Sequence, residues 1–459
     1  MITTVNPANG APLRTYPFTT EPELEAVLDR AVASLRRRDS ESVSWRADRL
    51  RELADRLRGS VERSATLITT EMGKPLDQAR AEIEKCAAAC EYYADRVDDL
   101  LAPQHVSLGS DTGYVRLRPL GVILAIMPWN YPFWQVFRAV LAAVAIGDTV
   151  VLKHADNVTG CAVAVQDLFT EVFGVGVVNV VLLPPERIGP LIDDSRVAAV
   201  AFTGSNRVGA MVGARAGAAA KKAVLELGGS DPFLVLDDAD VPAAAAAAVR
   251  SRFLNVGQSC IAAKRLIVAR SVRDSFVDAV LASLRALVVG DPMAAGTDIG
   301  PMARVDLRDE LRRQLDSALA GGATLLAGGS DSRPGAWFPP TLVEVADASS
   351  VAFREETFGP LAALLAVDSE DAAVEVANSS VYGLSSSVWT RDPDRADAVG
   401  RRLAAGSVFV NRISESDPRL PVGGVKASGY GRELGAHGAF EFANVQAVRT
   451  AASGVRTVQ

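Results

Sequence analysis

The chain has 459 residues, a formal net charge of -7, 49% hydrophobic residues and 22% charged residues, a composition typical of globular proteins. The absence of a basic arm or a Lys/Arg block argues against a nucleic-acid partner. No apolar run reaches the ~18 residues that a membrane span needs. The length predicts two or three domains.

The beginning of the chain, MITTVNPANGAPLRTYPF, has no charged head followed by an apolar stretch, so it does not read as a signal peptide. Four cysteines are too few for a disulfide framework. Three scattered histidines and no CxxC pair argue against a zinc or other metal site. Cys86, Cys90 and Cys161 lie in helical patterns and are predicted to pack in the core. A reducing cytoplasm is the expected location.

Amphipathic helical patterns dominate residues 21–100, and residues 113–121 alternate like an exposed strand. Apolar strands then alternate with helices through GVILAIMP, YPFWQVFRAVLAAVAIG, DTVVLKHA, AAVAFTG and KAVLELGG, and Pro132 is expected in the first turn of its helix. Unbroken apolar strands separated by helices predict a parallel sheet covered on both faces. A second α/β block is expected from Asp231 onward, and a glycine-rich region follows GSVFVNR.

Two polar motifs follow predicted strands. In AFTGSNRVG, Gly204 makes a turn and a helix starts at Ser205, an arrangement that suits a phosphate. Its GxxxxG spacing is not the GxGxxG fingerprint, so a plain structural turn is an equal alternative. In VLKHADN, Lys153 and Asp156 either hold ribose hydroxyls or are two solvated loop charges.

Two further patterns carry polar groups that suit chemistry. Asn130, Trp134 and Arg138 are spaced by four and are predicted to share one helical face. Together they suit an oxyanion, an alkyl chain and a carboxylate. The alternative is a helix cap, a core aromatic and a surface cation. Glu226, at a strand end before two glycines, is either a general base or a surface acid.

Cys260 lies in FLNVGQSCIAAKR, a loop in which small residues leave room for a substrate. A cysteine nucleophile needs such room together with an adjacent base or a lowered thiol pKa. Its backbone N–H is a candidate donor to a developing oxyanion. A protease-like Cys/His pair is disfavoured because no histidine lies in a comparable loop.

The chain resembles the aldehyde dehydrogenase superfamily in seven short sequence motifs that occur in the same order. They are PWN, LKHAD, FTGS, LELGG, NVGQSC, EETFGP and PVGGVKASGYGRELG. Within this superfamily, the chain most resembles the succinate-semialdehyde dehydrogenases of actinobacteria and cyanobacteria, through the motifs LKHA, GQSCIAAKR and SDPRLP. The resemblance implies an α/β fold with a Rossmann-type cofactor domain, an α/β catalytic domain and a small β oligomerisation arm. The expected boundaries are 1–105 and 121–229 for the cofactor domain, 230–412 for the catalytic domain, and 106–120 and 413–459 for the arm and C-terminal region.

The resemblance also implies roles for individual residues. Cys260 would attack the aldehyde, and Asn130 with the Cys260 N–H would hold the oxyanion of the thiohemiacetal. Hydride transfer to the nicotinamide would leave a thioester, and Glu226 would activate the water that hydrolyses it. The implied catalytic set is Cys260, Glu226, Asn130 and Lys153. The implied cofactor-binding set is Trp129, Lys153, Asp156, Gly204, Ser205, Glu226, Glu356 and Phe358, and the implied substrate-binding set is Trp134, Arg138 and Ser416.

Two departures from the resemblance bear on specificity. Asp156 stands where NADP-using relatives carry serine, and a carboxylate there would repel a 2′-phosphate. The expected cofactor is therefore NAD(P)⁺, with a leaning toward NAD⁺. Val422 stands where phenylalanine is usual, and the smaller side chain is expected to widen the substrate funnel.

The sequence thus predicts NAD(P)-dependent oxidation of a small aldehyde, with succinate semialdehyde as the preferred substrate, by a homodimer or homotetramer. The alternatives are an aliphatic or other ω-carboxy aldehyde dehydrogenase, a coenzyme A-acylating variant, which the presence of Glu226 disfavours, and a catalytically silent binding protein. Arg138→Ala is expected to raise KM steeply for a carboxylated substrate and to leave KM for hexanal almost unchanged.

Overall fold

A computed structural model of the chain describes residues 1–109 and 111–451. Ser110 and residues 452–459, which the expected oligomerisation arm and C-terminal region include, lie outside the described residues. Within the described ranges, no helix has the length and apolar character to cross a membrane.

Strands and helices both occur along most of the described chain. The strands are β1 (Ile2–Val5), β2 (Pro12–Tyr16), β3 (Gln104–Leu108), β4 (Asp111–Pro119), β5 (Val122–Met127), β6 (Thr149–His154), β7 (Val178–Val180), β8 (Val197–Thr203), β9 (Lys222–Glu226), β10 (Asp231–Val235), β11 (Ala263–Ala269), β12 (Thr324–Ala327), β13 (Thr341–Glu344), β14 (Leu361–Val367), β15 (Ser385–Trp389), β16 (Ser407–Val410), β17 (Gly429–Tyr430) and β18 (Ala443–Thr450). The helices are α1 (Glu21–Arg38), α2 (Val43–Gly59), α3 (Val61–Met72), α4 (Leu76–Leu101), α5 (Trp134–Ile146), α6 (Thr159–Phe173), α7 (Ile188–Asp193), α8 (Asn206–Ala218), α9 (Val241–Phe253), α10 (Arg273–Ala286), α11 (Val305–Ala320), α12 (Val351–Arg354), α13 (Glu370–Asn378), α14 (Pro393–Gly400) and α15 (Gly435–Glu441).

The first large sheet has six strands in the order β17-β9-β8-β5-β6-β7. Strands β5 to β9 are mutually parallel, and β5 and β8 are apolar and almost entirely buried. The expected strand–helix alternation is therefore confirmed. It arises because both faces of the sheet are covered by helices, so each strand can be apolar throughout.

The last strand of this sheet comes from the C-terminal region. Gly429 of β17 pairs antiparallel with Glu226 of β9. Its φ is +110°, and a Cβ there would lie 1.9 Å from the Leu225 carbonyl oxygen, so only glycine fits this approach. The C-terminal region is thereby held against the end of β9.

The second large sheet has seven strands in the order β12-β13-β14-β11-β10-β15-β16. All its pairs are parallel except β12 with β13 at one edge. The alanine-rich helix α9 has Ala244, Ala245 and Ala248 buried within the core of this sheet. Small side chains permit such close helix packing and favour the helical state.

A separate antiparallel sheet has the order β18-β4-β3. β18 pairs with β4 from Ala443↔Pro119 to Thr450↔Thr112. Val106, Leu108 and Val445 are exposed on it. The predicted exposed strand at residues 113–121 is thus the middle strand of a small sheet, and its partner β18 was not predicted as a strand.

Two predicted boundaries differ from the structure. Helix α5 begins at Trp134, so Pro132 lies before its first turn. The reason is Glu82 of α4, whose Oε1 accepts the N–H groups of Phe133 (2.9 Å) and Trp134 (3.0 Å) and so caps the helix from another element. Lys153, expected just past its strand, lies within β6.

Candidate active site

The carboxyl ends of the first sheet bring together residues that are distant in the sequence. Asn130 follows β5, Thr203 ends β8, and Glu226 ends β9. Open parallel sheets bind ligands at this edge, where the connections diverge to the two faces. The Gly204 N–H donates to the Glu226 carbonyl at 3.0 Å, which fixes the turn after β8 against β9.

The Cys260 loop joins α9 to β11 in a strained conformation. Asn255 and Val256 have positive φ values of 56° and 57°, which are rare for residues other than glycine. Asn255 Nδ2 donates to the Asn130 carbonyl at 2.7 Å, and Lys264 Nζ donates to the Ser259 and Cys260 carbonyls at 2.7 and 2.8 Å. These bonds fix the backbone on both sides of the cysteine.

Close backbone approach holds this loop against the end of β9. A Cβ at Gly229 would lie 2.5 Å from the Cys260 carbonyl oxygen. The absence of a side chain at Gly229 therefore allows the Cys260 backbone to approach closely.

Cys260 is half-buried, whereas the other three cysteines are fully buried, as predicted for packing residues. Burial raises the pKa of the Cys260 thiol to about 11, although Arg138 and Lys264 act in the opposite direction. The resting thiol is therefore protonated near neutral pH, and reaction requires that its proton be removed.

The Asn130 side chain is buried beside the loop. Its Nδ2 donates to the Gln258 carbonyl at 3.1 Å, and its Oδ1 accepts from Gln135 Nε2 at 3.3 Å. The first of these bonds uses one amide hydrogen and leaves the other for a ligand. The alternative role of Asn130 as the cap of α5 is wrong, because Glu82 fills that place.

Glu226 is a buried carboxylate beside one cation and one acid. Arg138 Nη2 lies 3.7 Å from Glu226 Oε2, and Arg138 also forms an ion pair with buried Glu433. Burial raises the pKa of Glu226 to about 8, Arg138 opposes this, and Glu433 adds to it. Neither carboxylate oxygen of Glu226 has a hydrogen-bond partner within residues 1–109 and 111–451.

Two cavities share Cys260 in their walls. The first cavity, of about 450 Å³, contains the expected substrate residues Trp134, Arg138 and Ser416 in its wall together with Cys260. Ser416 Oγ accepts hydrogen bonds from Trp134 Nε1 (3.0 Å) and Lys85 Nζ (2.9 Å). An aromatic wall with convergent donors suits a short chain that ends in an acceptor.

The second cavity, of about 250 Å³, lies at the carboxyl edge of the first sheet. Its wall contains Cys260 and five of the expected cofactor residues, which are Trp129, Gly204, Ser205, Glu356 and Phe358. Ser205 caps α8 and accepts the Val208 N–H, so the helix N-terminus opens toward this cavity. Thr203 Oγ1 is buried there without a partner in the described part of the chain.

The groups around the second cavity fit a dinucleotide. The N-terminus of α8 supplies free N–H groups for phosphate. The buried hydroxyl of Thr203 has no hydrogen-bond partner in the described residues and can bind a ligand. The rings of Trp129 and Phe358 pack edge to face with their centres 5.7 Å apart. Glu356 accepts the Gly229 N–H at 3.0 Å and pairs with Lys264 at 3.3 Å.

Lys153 and Asp156 form an ion pair of 2.8 Å outside the walls of these two cavities. Asp156 lies in the wall of a third cavity, of about 480 Å³, with Arg304 and the N-terminal segment around Asn6. The structure thus brings Asp156 next to Lys153 but not into the cavity that contains Glu356.

Several buried or half-buried charges around the site were not predicted. They are Glu82, which caps α5; Lys264, which holds the Cys260 loop; Glu433, which pairs with Arg138; Lys85, in the wall of the first cavity; and Arg252. Arg252 donates to the carbonyls of Gly257 (3.0 Å) and Thr357 (2.8 Å) and so ties the Cys260 loop to EETFGP. Lys264 and Glu433 lie within the strings GQSCIAAKR and PVGGVKASGYGRELG, although neither string indicates a partner for them. The other three look like ordinary surface charges in the sequence.

A Rossmann-type sheet, a second α/β sheet and a cysteine between two cavities define an α/β oxidoreductase with a cysteine at its centre. The chain belongs to the aldehyde dehydrogenase family, whose family model matches residues 1–448.

Similar proteins agree with this assignment. The chain is 44% identical over 447 residues, 97% of this chain and 96% of the relative, to an Escherichia coli K12 protein named succinate semialdehyde dehydrogenase [NAD(P)+] Sad. It is 42% identical over 449 residues, 97% of this chain and 99% of the relative, to a probable succinate-semialdehyde dehydrogenase [NADP(+)] of Synechocystis. The solved succinic semialdehyde dehydrogenase of Streptococcus pyogenes, in complex with NADP+, superposes with a TM-score of 0.95 at 33% identity, covering 98% of this chain and 99% of that one.

Proposed function

We propose that this protein oxidises succinate semialdehyde to succinate with NAD(P)⁺. The observation that carries the proposal is the position of Cys260 in the walls of both cavities, with Trp134 and Ser416 in the first and Glu356 and Phe358 in the second. An aldehyde in the first cavity can therefore meet the sulfur on one side while a nicotinamide approaches from the other. The relatives at 42–44% identity are named for this substrate.

In the proposed reaction, the Cys260 sulfur attacks the aldehyde carbon and forms a thiohemiacetal. The free amide hydrogen of Asn130 and the Cys260 N–H hold the developing oxyanion. Because burial keeps the thiol protonated, its proton must pass to a base, here a water molecule in the cavity, as the C–S bond forms.

The proposed cofactor residues are the wall of the second cavity, with Lys153 and Asp156 beyond it. When bound there, NAD(P)⁺ supplies the hydride acceptor. Glu356 and Phe358 would hold the nicotinamide end, and the N-terminus of α8 with Gly204 and Ser205 would hold phosphate. Lys153, which the family resemblance also places in the catalytic set, would contact the ribose.

The second half-reaction is hydrolysis of the Cys260 thioester. We infer that Glu226 takes a proton from water, which adds to the thioester carbon and releases the acid and the thiol. A pKa near 8 suits this role, since a base works best when its pKa lies near the working pH. Both carboxylate oxygens of Glu226 lack a hydrogen-bond partner within residues 1–109 and 111–451, which leaves them able to accept from water.

For the substrate, we infer that Trp134 lies along the alkyl chain and that Arg138 and Ser416 face its far end. The broader aliphatic or ω-carboxy alternative depended on Val422. Val422 forms a backbone bridge with Glu433, with two N–H···O bonds of 2.8 Å, and packs against the core of the first sheet. Val422 is not among the residues that line the first cavity in the described part of the chain, so the wider funnel expected from it is not found there. The broader-specificity enzyme and the silent binding protein remain the alternatives.

We lean toward NAD⁺ over NADP⁺ because the Asp156 carboxylate already neutralises Lys153, at 2.8 Å. A cation paired in this way attracts a 2′-phosphate less than a free one. The relatives bear both NAD(P)+ and NADP(+) in their names, so the preference for NAD⁺ rests on this ion pair alone.

We further propose a cofactor domain of residues 1–105 and 121–229, a catalytic domain of residues 230–412, and a homodimer or homotetramer in the cytoplasm. The chain passes from the first large sheet to the second between Glu226 and Asp231, close to the proposed boundary at 229/230. The sheet β18-β4-β3 exposes valine and leucine side chains that an interface would bury. Light scattering after size exclusion measures the subunit number.

A turnover screen tests the proposed function. Succinate semialdehyde, glutarate semialdehyde, hexanal and benzaldehyde are each assayed with NAD⁺ and NADP⁺, with and without coenzyme A. The proposal expects the highest kcat/KM for succinate semialdehyde and free succinate as the product. A coenzyme A thioester as the product would favour the coenzyme A-acylating variant, and a higher kcat/KM for hexanal would favour the aliphatic aldehyde dehydrogenase. Absence of NAD(P)H formation with every aldehyde would favour the silent binding protein.

A further inference from the structure

Lys85 is a half-buried cation in the wall of the first cavity. It lies on α4 and faces Trp134, with its Nζ 4.5 Å from the centre of that ring. No carboxylate in residues 1–109 and 111–451 lies within 4 Å of this ammonium group. Its charge is therefore available to a ligand, in contrast to the paired cations deeper in the protein.

In the cluster of Lys85, Trp134 and Ser416, the hydrogen bonds that form use up the acceptor and leave free donors. Ser416 Oγ accepts one bond from Lys85 and one from Trp134, which uses both lone pairs of the hydroxyl. The hydroxyl hydrogen of Ser416 must then point elsewhere. Lys85 keeps further N–H groups, and the indole has no acceptor. A ligand that completes this cluster must be an acceptor, and the positive charge favours an anion.

Arg138, the cation expected from the sequence to meet the substrate, already has two acidic neighbours, although its Nη2 has no hydrogen-bond partner within the described ranges. It forms ion pairs with Glu226 and Glu433, both of which are buried. The Glu433 carboxylate offsets the guanidinium charge, and Glu226, with a pKa of about 8, adds negative charge above that pH, so no excess positive charge remains at that place. The other cation in the cavity wall without a carboxylate within 4 Å in the described ranges is Arg250, which is exposed to solvent.

We propose that Lys85 binds the distal carboxylate of the aldehyde substrate and determines the preference for acidic aldehydes, with the Ser416 hydroxyl as the second donor. This inference rests on the proposed function and names the side chain that recognises the acid. Trp134 then supports the methylene chain between the carboxylate and the carbon that Cys260 attacks.

The environment of Lys85 also makes its charge sensitive to pH. Burial lowers its pKa to about 8, and Arg138 lowers it further, while Glu415 acts in the opposite direction. The charged and titratable groups facing it are Glu82 and Cys86 on α4, Arg138 on α5, Arg250 on α9, and Glu415 and Asp417. Carboxylate binding should therefore weaken as the pH rises through about 8.

The test compares Lys85→Met, Lys85→Gln and Lys85→Arg in the full chain. The measured quantity is the ratio of kcat/KM for succinate semialdehyde to that for hexanal. We expect this ratio to fall about tenfold to a hundredfold in the Met and Gln variants, because a charge-assisted hydrogen bond is lost, and to stay within about threefold in the Arg variant. Lys222→Met removes an equal charge from outside the cavity and is the matched control.

The glutamine variant separates direct binding from a positioning role. Glutamine can still donate to Ser416 but carries no charge. A wild-type ratio in Lys85→Gln would mean that the lysine only orients Ser416, and it would overturn the proposal. In the wild-type enzyme, KM for succinate semialdehyde should also rise above pH 8, and in Lys85→Arg this rise should move to higher pH.

A second readout does not depend on turnover of the semialdehyde. Succinate is tested as a competitive inhibitor of hexanal oxidation, and we expect its inhibition constant to rise about tenfold or more in Lys85→Met. If the wild-type enzyme fails to oxidise succinate semialdehyde but this shift is found, the proposed substrate is wrong and Lys85 still binds carboxylate. If the inhibition constant is unchanged, the proposal for Lys85 is wrong whatever the substrate.

Discussion

Arg138 Nη2 lies 3.7 Å from Glu226 Oε2, and the same guanidinium pairs with Glu433 on its other side. A residue expected at the substrate end of the cavity is therefore part of the electrostatic environment of the carboxylate proposed to activate water. All three side chains are buried, so their mutual effects are not screened by solvent. Substitution of any one of them should change the protonation of the other two.

Arg138→Met should lower the turnover of both acidic and neutral aldehydes. Its loss removes the cation that the two buried carboxylates share, which raises the pKa of Glu226 and depletes its basic form. We expect kcat to fall about tenfold to a hundredfold with succinate semialdehyde and with hexanal alike. This differs from the sequence-based expectation, in which hexanal is almost unaffected. Steady-state kinetics with both substrates decides, with Arg138→Lys as the charge-conserving control, and normal hexanal turnover would favour the sequence-based expectation.

Glu226→Gln should separate the two half-reactions. If Glu226 acts only on the thioester, the first turnover still produces about one NAD(P)H per active site, and later turnovers slow at least about a hundredfold. Stopped-flow absorbance measures the burst and the steady state together. Asp231→Asn, at the start of β10, is the comparison for loss of another buried acid. Loss of the burst itself would assign Glu226 to the first half-reaction.

The pH profile of kcat should follow Glu226 when hydrolysis limits the rate. Below its pKa of about 8 the carboxyl is mostly protonated and cannot accept a proton from water, so kcat should rise about tenfold per pH unit and level off above 8. Because Glu433 raises this pKa, Glu433→Gln should move the profile to lower pH. A flat profile between pH 6 and 9, with a burst present, would contradict the role of Glu226.

Cys260 should react slowly with iodoacetamide in the absence of cofactor. With a pKa of about 11, only on the order of one thiol in a thousand is ionised at pH 8. We expect alkylation, mapped by mass spectrometry, to accelerate up to at least pH 10 and to abolish turnover. Cys260→Ala should lose at least about a thousandfold in kcat. Fast alkylation at pH 7 would show that the resting sulfur is already a thiolate.

Asp156→Ser should shift cofactor preference toward NADP⁺. Removal of the carboxylate frees Lys153, now paired at 2.8 Å, to attract a 2′-phosphate. The expected change is about a tenfold or greater rise in the ratio of kcat/KM for NADP⁺ to that for NAD⁺. Asp156→Asn, which removes the charge at equal size, should act in the same direction. A wild-type enzyme that already prefers NADP⁺ would contradict the leaning toward NAD⁺.

The sequence predicts well what depends on local pattern. The apolar strands β5 and β8 and the turn at Gly204 follow from hydrophobic periodicity and glycine chemistry, and the small residues beside Cys260 indicate room for a substrate. The strained course of that loop, with positive φ at Asn255 and Val256, does not follow from the sequence pattern. The buried charges do not follow in this way. Glu82, Lys85 and Glu433 acquire their partners from segments far away in the chain, and on an amphipathic helix or a glycine-rich loop such residues look like solvated charges.

The pairing of β17 with β9 imposes an order on the maturation of the enzyme. The carboxylate of Glu226 receives its neighbour Glu433, and its strand receives its last partner, only after a segment about 170 residues beyond Cys260 has emerged. At the usual rate of translation this takes roughly 10–35 s. A ribosome-bound chain that has already exposed its cysteine therefore still lacks Glu433 and the β17 partner of β9, so the proposed hydrolytic site is completed only late in synthesis.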